Sequence, residues 1–450
     1  MMQTLVQNRN LNRLIIFALC ILVGVAVSWA SLVRRASAND FNGAGSYPIE
    51  NTSRISASVD EQIQSLQSLL RANPEDWQSY SQLGFAYLQK ARETGDPAYY
   101  QKVEEAFGNS LEHHADDYAT VSGMGALALA RHQFQAALEW GERARQLDPE
   151  RAYAYGVVAD AQIELGQYRA AVETLQTMVD LRPDMSSYSR ISYARELHGD
   201  TDGALEMMQA AVDSGVGGAE STAWTRTQLG NLYFNTGQLD QAELEYARTL
   251  EERPGYMYAL AGLGRVRAAQ GKTDEAIGLL SEAINVVPLP EFVITLGDLY
   301  QSNNQPELAR QQYNLVGAIE QLYKANGVDM DVEIALFNAD QDKDLEANVQ
   351  RARLAYTNRP SIHAADVVAW ALYKVGHYAE AKIYSEKALQ LGTKDSLKLF
   401  HAGMIAYQLG RTAQSQEYLA QALEINPHFS ILYAKEAEVT LNRLQSLGDQ

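Results

Sequence analysis

The stretch LGNLYFNTGQLDQAELEYARTLEERP, Leu229 to Pro254, decides how this chain folds. Apolar and small residues recur along it three and four apart: Leu229, Leu232 and Tyr233 before Gly237, then Leu239, Ala242 and Tyr246 after it. That spacing puts each set on one face of an amphipathic helix and places a tight turn between the two. Gly237 suits the left-handed residue that ends a first helix and satisfies its orphaned carbonyls. Pro254 ends the second helix, because proline donates no backbone N–H and biases its predecessor out of the helical region. Gly230 and Ala242 lack bulk, so the two helices can approach closely there.

The same pattern returns along the chain. Gly230, Gly264 and Gly297 are spaced 34 and 33 apart, as are Ala242, Ala276 and Ala309; Pro149 and Pro183, Pro254 and Pro288, and Gly376 and Gly410 are each 34 apart. A period of this length marks a stack of helix pairs, each too short to bury its own apolar face and dependent on its neighbours.

Leu229, Gly230, Tyr233, Ala242, Tyr246 and Pro254 together resemble the tetratricopeptide repeats, and Met124, Gly125, Ala137, Ala144 and Pro149 or Leu263, Gly264, Ala276, Ala283 and Pro288 carry the same likeness. The resemblance implies an all-α, right-handed superhelical solenoid. Ten units start near Trp77, Tyr118, Ala152, Met185, Ala223, Met257, Pro290, Asp329, Ile362 and Ser396. A helix at about Val59 to Ala72 precedes them, and one at about Ser430 to Leu447 follows as a cap. The first unit is longer at Glu93 to Pro97, and Gly215 to Gly218 lengthens the loop before the fifth. After Tyr313 the second helix runs on to about Lys324, and the next unit has Leu336 and Asn348 where Gly and Ala are usual. These departures predict a bend, and a division into a first array, 59–325, and a second, 326–447.

Composition bounds the function. Of 450 residues 46% are hydrophobic and 21% charged, as in an ordinary folded chain. The formal charge of −19, without a basic cluster, speaks against nucleic acid as a partner. The one cysteine, Cys20, excludes a disulfide framework or a zinc cage in the repeat region.

Leu14 to Val33 is twenty residues without a charge, including Phe17, Leu22 and Trp29, and is bracketed by Arg9, Arg13, Arg34 and Arg35. A helix of that length spans a bilayer's hydrocarbon core. Its Leu, Ile, Phe and Val residues favour insertion by about 4 to 7 kcal/mol. The expected order is therefore a tail at 1–13, a transmembrane helix or uncleaved signal anchor at 14–33, and a Gly- and Ser-containing tether at 36–58. Cleavage after Ala30 or Ala38, where small residues stand at the −3 and −1 positions, is the alternative. Two arginines flank each side of the span and leave the orientation open, and the array is expected outside the cytoplasm.

No His-Glu-x-x-His, phosphate-binding loop or Gly-x-Ser-x-Gly elbow occurs, so no enzyme and no cofactor is expected. Adjacent His113 and His114 point in different directions on a helix, which speaks against a metal pair. Asp340, Asp342 and Asp344 start like a calcium loop, but Leu345 and Arg351 replace its Gly and Glu.

In the family, the first helices line a concave groove at positions two, five, nine, twelve and thirteen of each unit. Carried onto this chain, the resemblance places Trp370, Tyr373, Leu397, Phe400, Met404 and Tyr407 there, as an apolar stripe that serves either a partner or packing beneath the final helix. Asn231, Asn235 and Arg265 form a polar second candidate, since a side-chain amide pairs with both groups of a peptide backbone. The expected function is a membrane-tethered scaffold that binds a protein segment in assembly of an envelope complex. An accessory subunit of an envelope enzyme or transporter, or an exported soluble binding protein, are the alternatives.

Overall fold

The computed structural model describes residues 58–448. The expected tail, the span Leu14–Val33 and the tether up to Ala57 lie outside these residues. Among the described residues no helix is long and apolar enough to cross a membrane.

Among the described residues the regular structure is helical throughout, with 22 helices. After α1 (Val59–Ala72) come the pairs α2/α3 (Trp77–Thr94, Tyr99–His113), α4/α5 (Tyr118–Ala130, Phe134–Leu147), α6/α7 (Ala152–Glu164, Tyr168–Leu181) and α8/α9 (Met185–Leu197, Thr201–Asp213). Then follow α10/α11 (Glu220–Asn235, Leu239–Glu252), α12/α13 (Met257–Ala269, Thr273–Val286) and α14/α15 (Pro290–Ser302, Pro306–Ala325). The last pairs are α16/α17 (Asp331–Asp340, Leu345–Asn358), α18/α19 (Ile362–Lys374, Tyr378–Ala388) and α20/α21 (Ser396–Gln408, Thr412–Ile425), before α22 (Ala434–Gly448).

Helix starts have local causes. Ser58 and Glu61 form a reciprocal capping box on α1, and the side chains of Asp76, Asp117, Asp184, Asp200, Ser361 and Asp395 each accept a backbone N–H from the first turn of a helix. A cap of this kind stabilises by about 1 kcal/mol. Three boundaries depart from the sequence reading. The fifth pair begins at Glu220 and not Ala223, because the Thr222 hydroxyl bonds Val216 O (2.7 Å) and folds the Gly-rich loop back early. The eighth begins at Asp331, after Asp329 has capped its N–H (2.9 Å). The final helix begins at Ala434, because Ser430 Oγ accepts from the N–H groups of Leu432 and Tyr433 (3.2 and 3.1 Å), a local turn that competes with helix.

Gly230 makes room for a side chain, not for a backbone: a Cβ there would stand 2.6 Å from the Tyr246 ring, and one on Gly262 2.4 Å from it. The ring of α11 is thus slotted between the first helices of two successive units, fully buried, with its hydroxyl donating to Asn231 Oδ1 (2.7 Å). Gly297 and Tyr313 repeat the arrangement at 2.4 Å. Buried alanines, among them Ala137, Ala171, Ala204, Ala242 and Ala276, hold the second helices against the first. Asn348, where alanine is usual, is buried and donates to Ala335 O (2.8 Å).

The solenoid closes on itself. Arg131 Nε donates to Asn326 O (3.1 Å), Gln133 to Gly327 O (3.0 Å), the Ile362 N–H to the Tyr168 hydroxyl (2.6 Å) and Asn426 Nδ2 to Phe234 O (2.9 Å). These partners lie 195, 194, 194 and 192 residues apart, so one superhelical turn takes roughly five to six units of 34 residues. In each case the turn inside a pair of the first winding meets the loop between pairs of the second. The loop that follows α15, where the boundary between two arrays is expected, is one of these docking loops.

Candidate functional site

The first helices of successive pairs face inward and line the concave groove. Because the windings touch, this groove is an interior channel with two cavities of about 540 and 760 Å³. The smaller lies among α4, α6, α8 and α10. Its apolar wall is formed by Tyr153, Met185, Tyr193 and Trp224, the last 37% exposed, and its polar wall by Ser186, Ser189, Gln228, Asn231 and Asn235. Both its arginines are paired: Arg190 Nε lies 2.9 and 3.0 Å from the two carboxylate oxygens of Asp160. Arg92, reaching across from α2, holds Glu220 at 2.8 Å, and the Tyr256 hydroxyl donates to the same carboxylate (2.9 Å). Burial raises the pKa of Glu196 at this wall, Asp395 raises it further, and a hydrogen bond from Asn235 opposes both.

The larger cavity lies between α10, α12 and α14 on one side and the segment Pro427–Lys435 on the other. Arg265 lies along this wall, stacked over Phe234 at 4.1 Å and without an ion-pair partner among the described residues, and its burial lowers the guanidinium pKa. Asn231 borders both cavities, with its Oδ1 taken by Tyr246 and its Nδ2 donating weakly to Gln228 (3.3 Å). Asp298 accepts from the Tyr313 hydroxyl (2.8 Å), and burial with help from Asp340 pushes its carboxyl up to about 7 against the pull of that hydrogen bond.

The polar candidates therefore meet: Asn231 and Asn235 share the smaller cavity, and Asn231 and Arg265 the larger. Of the apolar stripe, Leu397 lines the larger cavity, and Trp370, Tyr373, Phe400, Met404 and Tyr407 line neither. Trp370, Phe400 and Met404 are buried in one cluster with Ala437 and Leu444 of α22, and Tyr373, Leu397 and Tyr407 pack half-buried against it. Trp370 stacks on Tyr373 (4.6 Å) and on His401 (4.1 Å) and donates its indole N–H to Asp340 Oδ1 (2.8 Å). The stripe is covered by the chain's own C-terminal segment. Among the described residues no group of three or more His, Cys, Asp or Glu side chains is placed to hold a metal ion, and His114 stacks on Trp77 at 4.5 Å.

Tyr153, Asp160, Tyr193 and Trp224 were not singled out from sequence, yet they stand at the second or ninth position of their units, the family's groove positions. The groove-filling residues Ile431 and Tyr433 carry no such signal, since they lie beyond the last matched repeat.

Fold and groove together define a helical-repeat solenoid with an interior channel. Family models described as tetratricopeptide repeat match residues 128–192, 227–288 and 399–429. A stretch of 218 residues, 48% of this chain, is 25% identical to Cellulose synthase 1 operon protein C of Komagataeibacter xylinus and covers 14% of it. Another, 44% of this chain, is 27% identical to the TPR repeat-containing protein PA4667 of Pseudomonas aeruginosa and covers 35% of it. The matched part of this chain thus spans well under half the length of either relative. A tetratricopeptide repeat protein from Parabacteroides merdae, of known structure, aligns over 56% of this chain and 92% of its own with a TM-score of 0.40 and 14% identity.

Proposed function

We propose that this chain is a non-catalytic scaffold that takes an extended segment of a partner protein into the channel of its repeat array. The observation that carries this reading is the open half of the groove, where Trp224 and Tyr153 offer apolar faces beside the amides of Gln228, Asn231 and Asn235. Side chains of that mixture hold a peptide by its backbone and by alternate side chains. Anchored by the span 14–33, the array works outside the cytoplasm in the assembly of an envelope complex. The likeness to a protein named for a cellulose synthase operon supports a second reading, an accessory subunit of an envelope enzyme system. Cleavage near Ala30 or Ala38 would instead release a soluble exported binding protein, and the mass of the mature chain distinguishes the two.

The test is affinity capture by crosslinking from intact membranes, with the parent chain beside a Trp224→Ala, Asn235→Ala variant. Both residues are exposed, so the variant should keep the parent's helicity and melting. Loss of one captured protein, with the remainder unchanged, is the expected result. Identical capture by both chains would remove the open groove as the working surface.

A further inference from the structure

The second half of the groove is occupied by the chain itself. Asn426 is pinned across the seam to Phe234 O, and from there the segment up to Tyr433 turns into the channel. The Tyr433 ring stacks on Phe400 (5.1 Å, 21°), meets Trp370 edge-on (5.5 Å, 79°) and donates its hydroxyl to Asp340 Oδ1 (2.9 Å). Phe429 lies 5.5 Å from Phe400, and Ile431 packs on the opposite wall, against the cluster that contains Met257, Leu260 and Phe292. The segment thus bridges the channel from α18 and α20 to α12 and α14.

It fits that space incompletely. A cavity of about 760 Å³ remains beside it. Arg265 borders that cavity and makes no ion pair among the described residues, although Glu291, Asp298 and Asp340 line it elsewhere, and the segment Pro427–Lys435 contains no carboxylate. Gln228 and Asn231 of α10 border both this cavity and the open half of the groove. A partner segment entering along the open half runs into the resident one at α10.

We propose that Asn426–Tyr433 is a resident occupant of the binding channel, displaced by a partner segment that carries a tyrosine for the Trp370–Phe400–Asp340 site and a carboxylate for Arg265. The proposal rests on the groove reading above. An incoming segment that pairs with Arg265 has an interaction the resident lacks, and only such a difference in affinity shifts the equilibrium towards the open state. Channel occupation in cis keeps the aromatic stripe covered until that partner arrives.

The experiment uses the full chain, a Phe429→Ala, Tyr433→Ala variant, and a labelled synthetic peptide with the chain's own sequence from Asn426 to Glu436. Fluorescence anisotropy should show the variant binding the peptide at least about tenfold more tightly than the parent does. A peptide with Glu in place of Ser430 should bind the variant more tightly still, and Arg265→Gln in the variant should abolish that gain. Equal binding by parent and variant, or none by a variant whose melting shows it folded, overturns the proposal. Should the variant not fold, Tyr433→Phe removes only the bond to Asp340, and hydrogen exchange must then show residues 427–433 opening faster than in the parent with α20 unchanged; unchanged exchange overturns it. If the peptide fails but capture still depends on Trp224 and Asn235, the resident-occupant proposal falls alone; if both fail, the groove reading falls with it.

Discussion

Gly199 and Gly271 hold the same backbone angle, φ +74°, at the same place in their units, yet they differ in what surrounds them. A Cβ on Gly199 would stand 2.2 Å from Gly392 O of the next winding, whereas one on Gly271 would meet nothing within 4 Å. Gly271→Ala should therefore cost about 1 to 2 kcal/mol, the left-handed penalty alone. Gly199→Ala adds a backbone clash that only a shift of the seam relieves, so its urea midpoint should fall further; equal midpoints would show that the seam yields freely. Tyr246→Ala should cost about 3 to 5 kcal/mol by emptying the slot between Gly230 and Gly262. Asp298 supplies a pH test. Its folded pKa of about 7 lies above the ordinary carboxylate value, so the folded state holds a proton that the unfolded state releases. Its contribution to stability is therefore present at low pH and is lost as pH rises from about 4 towards 7. Asp298→Asn should flatten that part of the stability profile, measured by urea melts between those pH values.

At the scale of elements, the sequence shows each helix pair clearly, because caps, turn glycines and alternating apolar faces are all local. Trp77, Tyr118, Ala152, Met185, Met257, Pro290, Ile362 and Ser396 do begin helices. Where boundaries slipped, a side-chain oxygen had engaged the backbone, as that of Ser430 does before α22. The contact between elements of different windings had no such signature. Arg359 shows what it involves: its guanidinium holds Glu164 of α6 at 2.6 Å and Glu333 of α16 at 3.0 Å and lies over Phe134. The Arg359 and Glu164 side chains are only 16% and 13% exposed. Removing the arginine leaves Glu164 buried without its partner, so Arg359→Ala should cost about 3 to 5 kcal/mol. Arg359→Met with Glu164→Gln should restore much of that loss, and a double-mutant cycle in urea measures the coupling.

For the whole molecule, an open solenoid is a sum of nearest-neighbour interfaces and can unfold piecemeal. Here units about 195 residues apart are bonded together, which couples distant parts of the array. Parent chain should unfold in one urea transition, and Gly199→Ala should separate it into two; a broad transition in the parent would show the seam to be energetically idle. The sequence by itself determined the helix pairs and their count, because a repeat is written in contacts between neighbours in the chain, and the family resemblance implied which helices face inward. It also named Asn231, Asn235 and Arg265, and the structure places them on the channel wall. Only the tertiary structure decided that the windings meet and that the stripe from Trp370 to Tyr407 lies beneath residues 427–448. The meeting depends on a small rotation per unit, accumulated over five or six units, which no single residue spells out. The covering escapes sequence reading for a related reason: an apolar stripe has the same spacing whether a partner or the chain's own end lies across it.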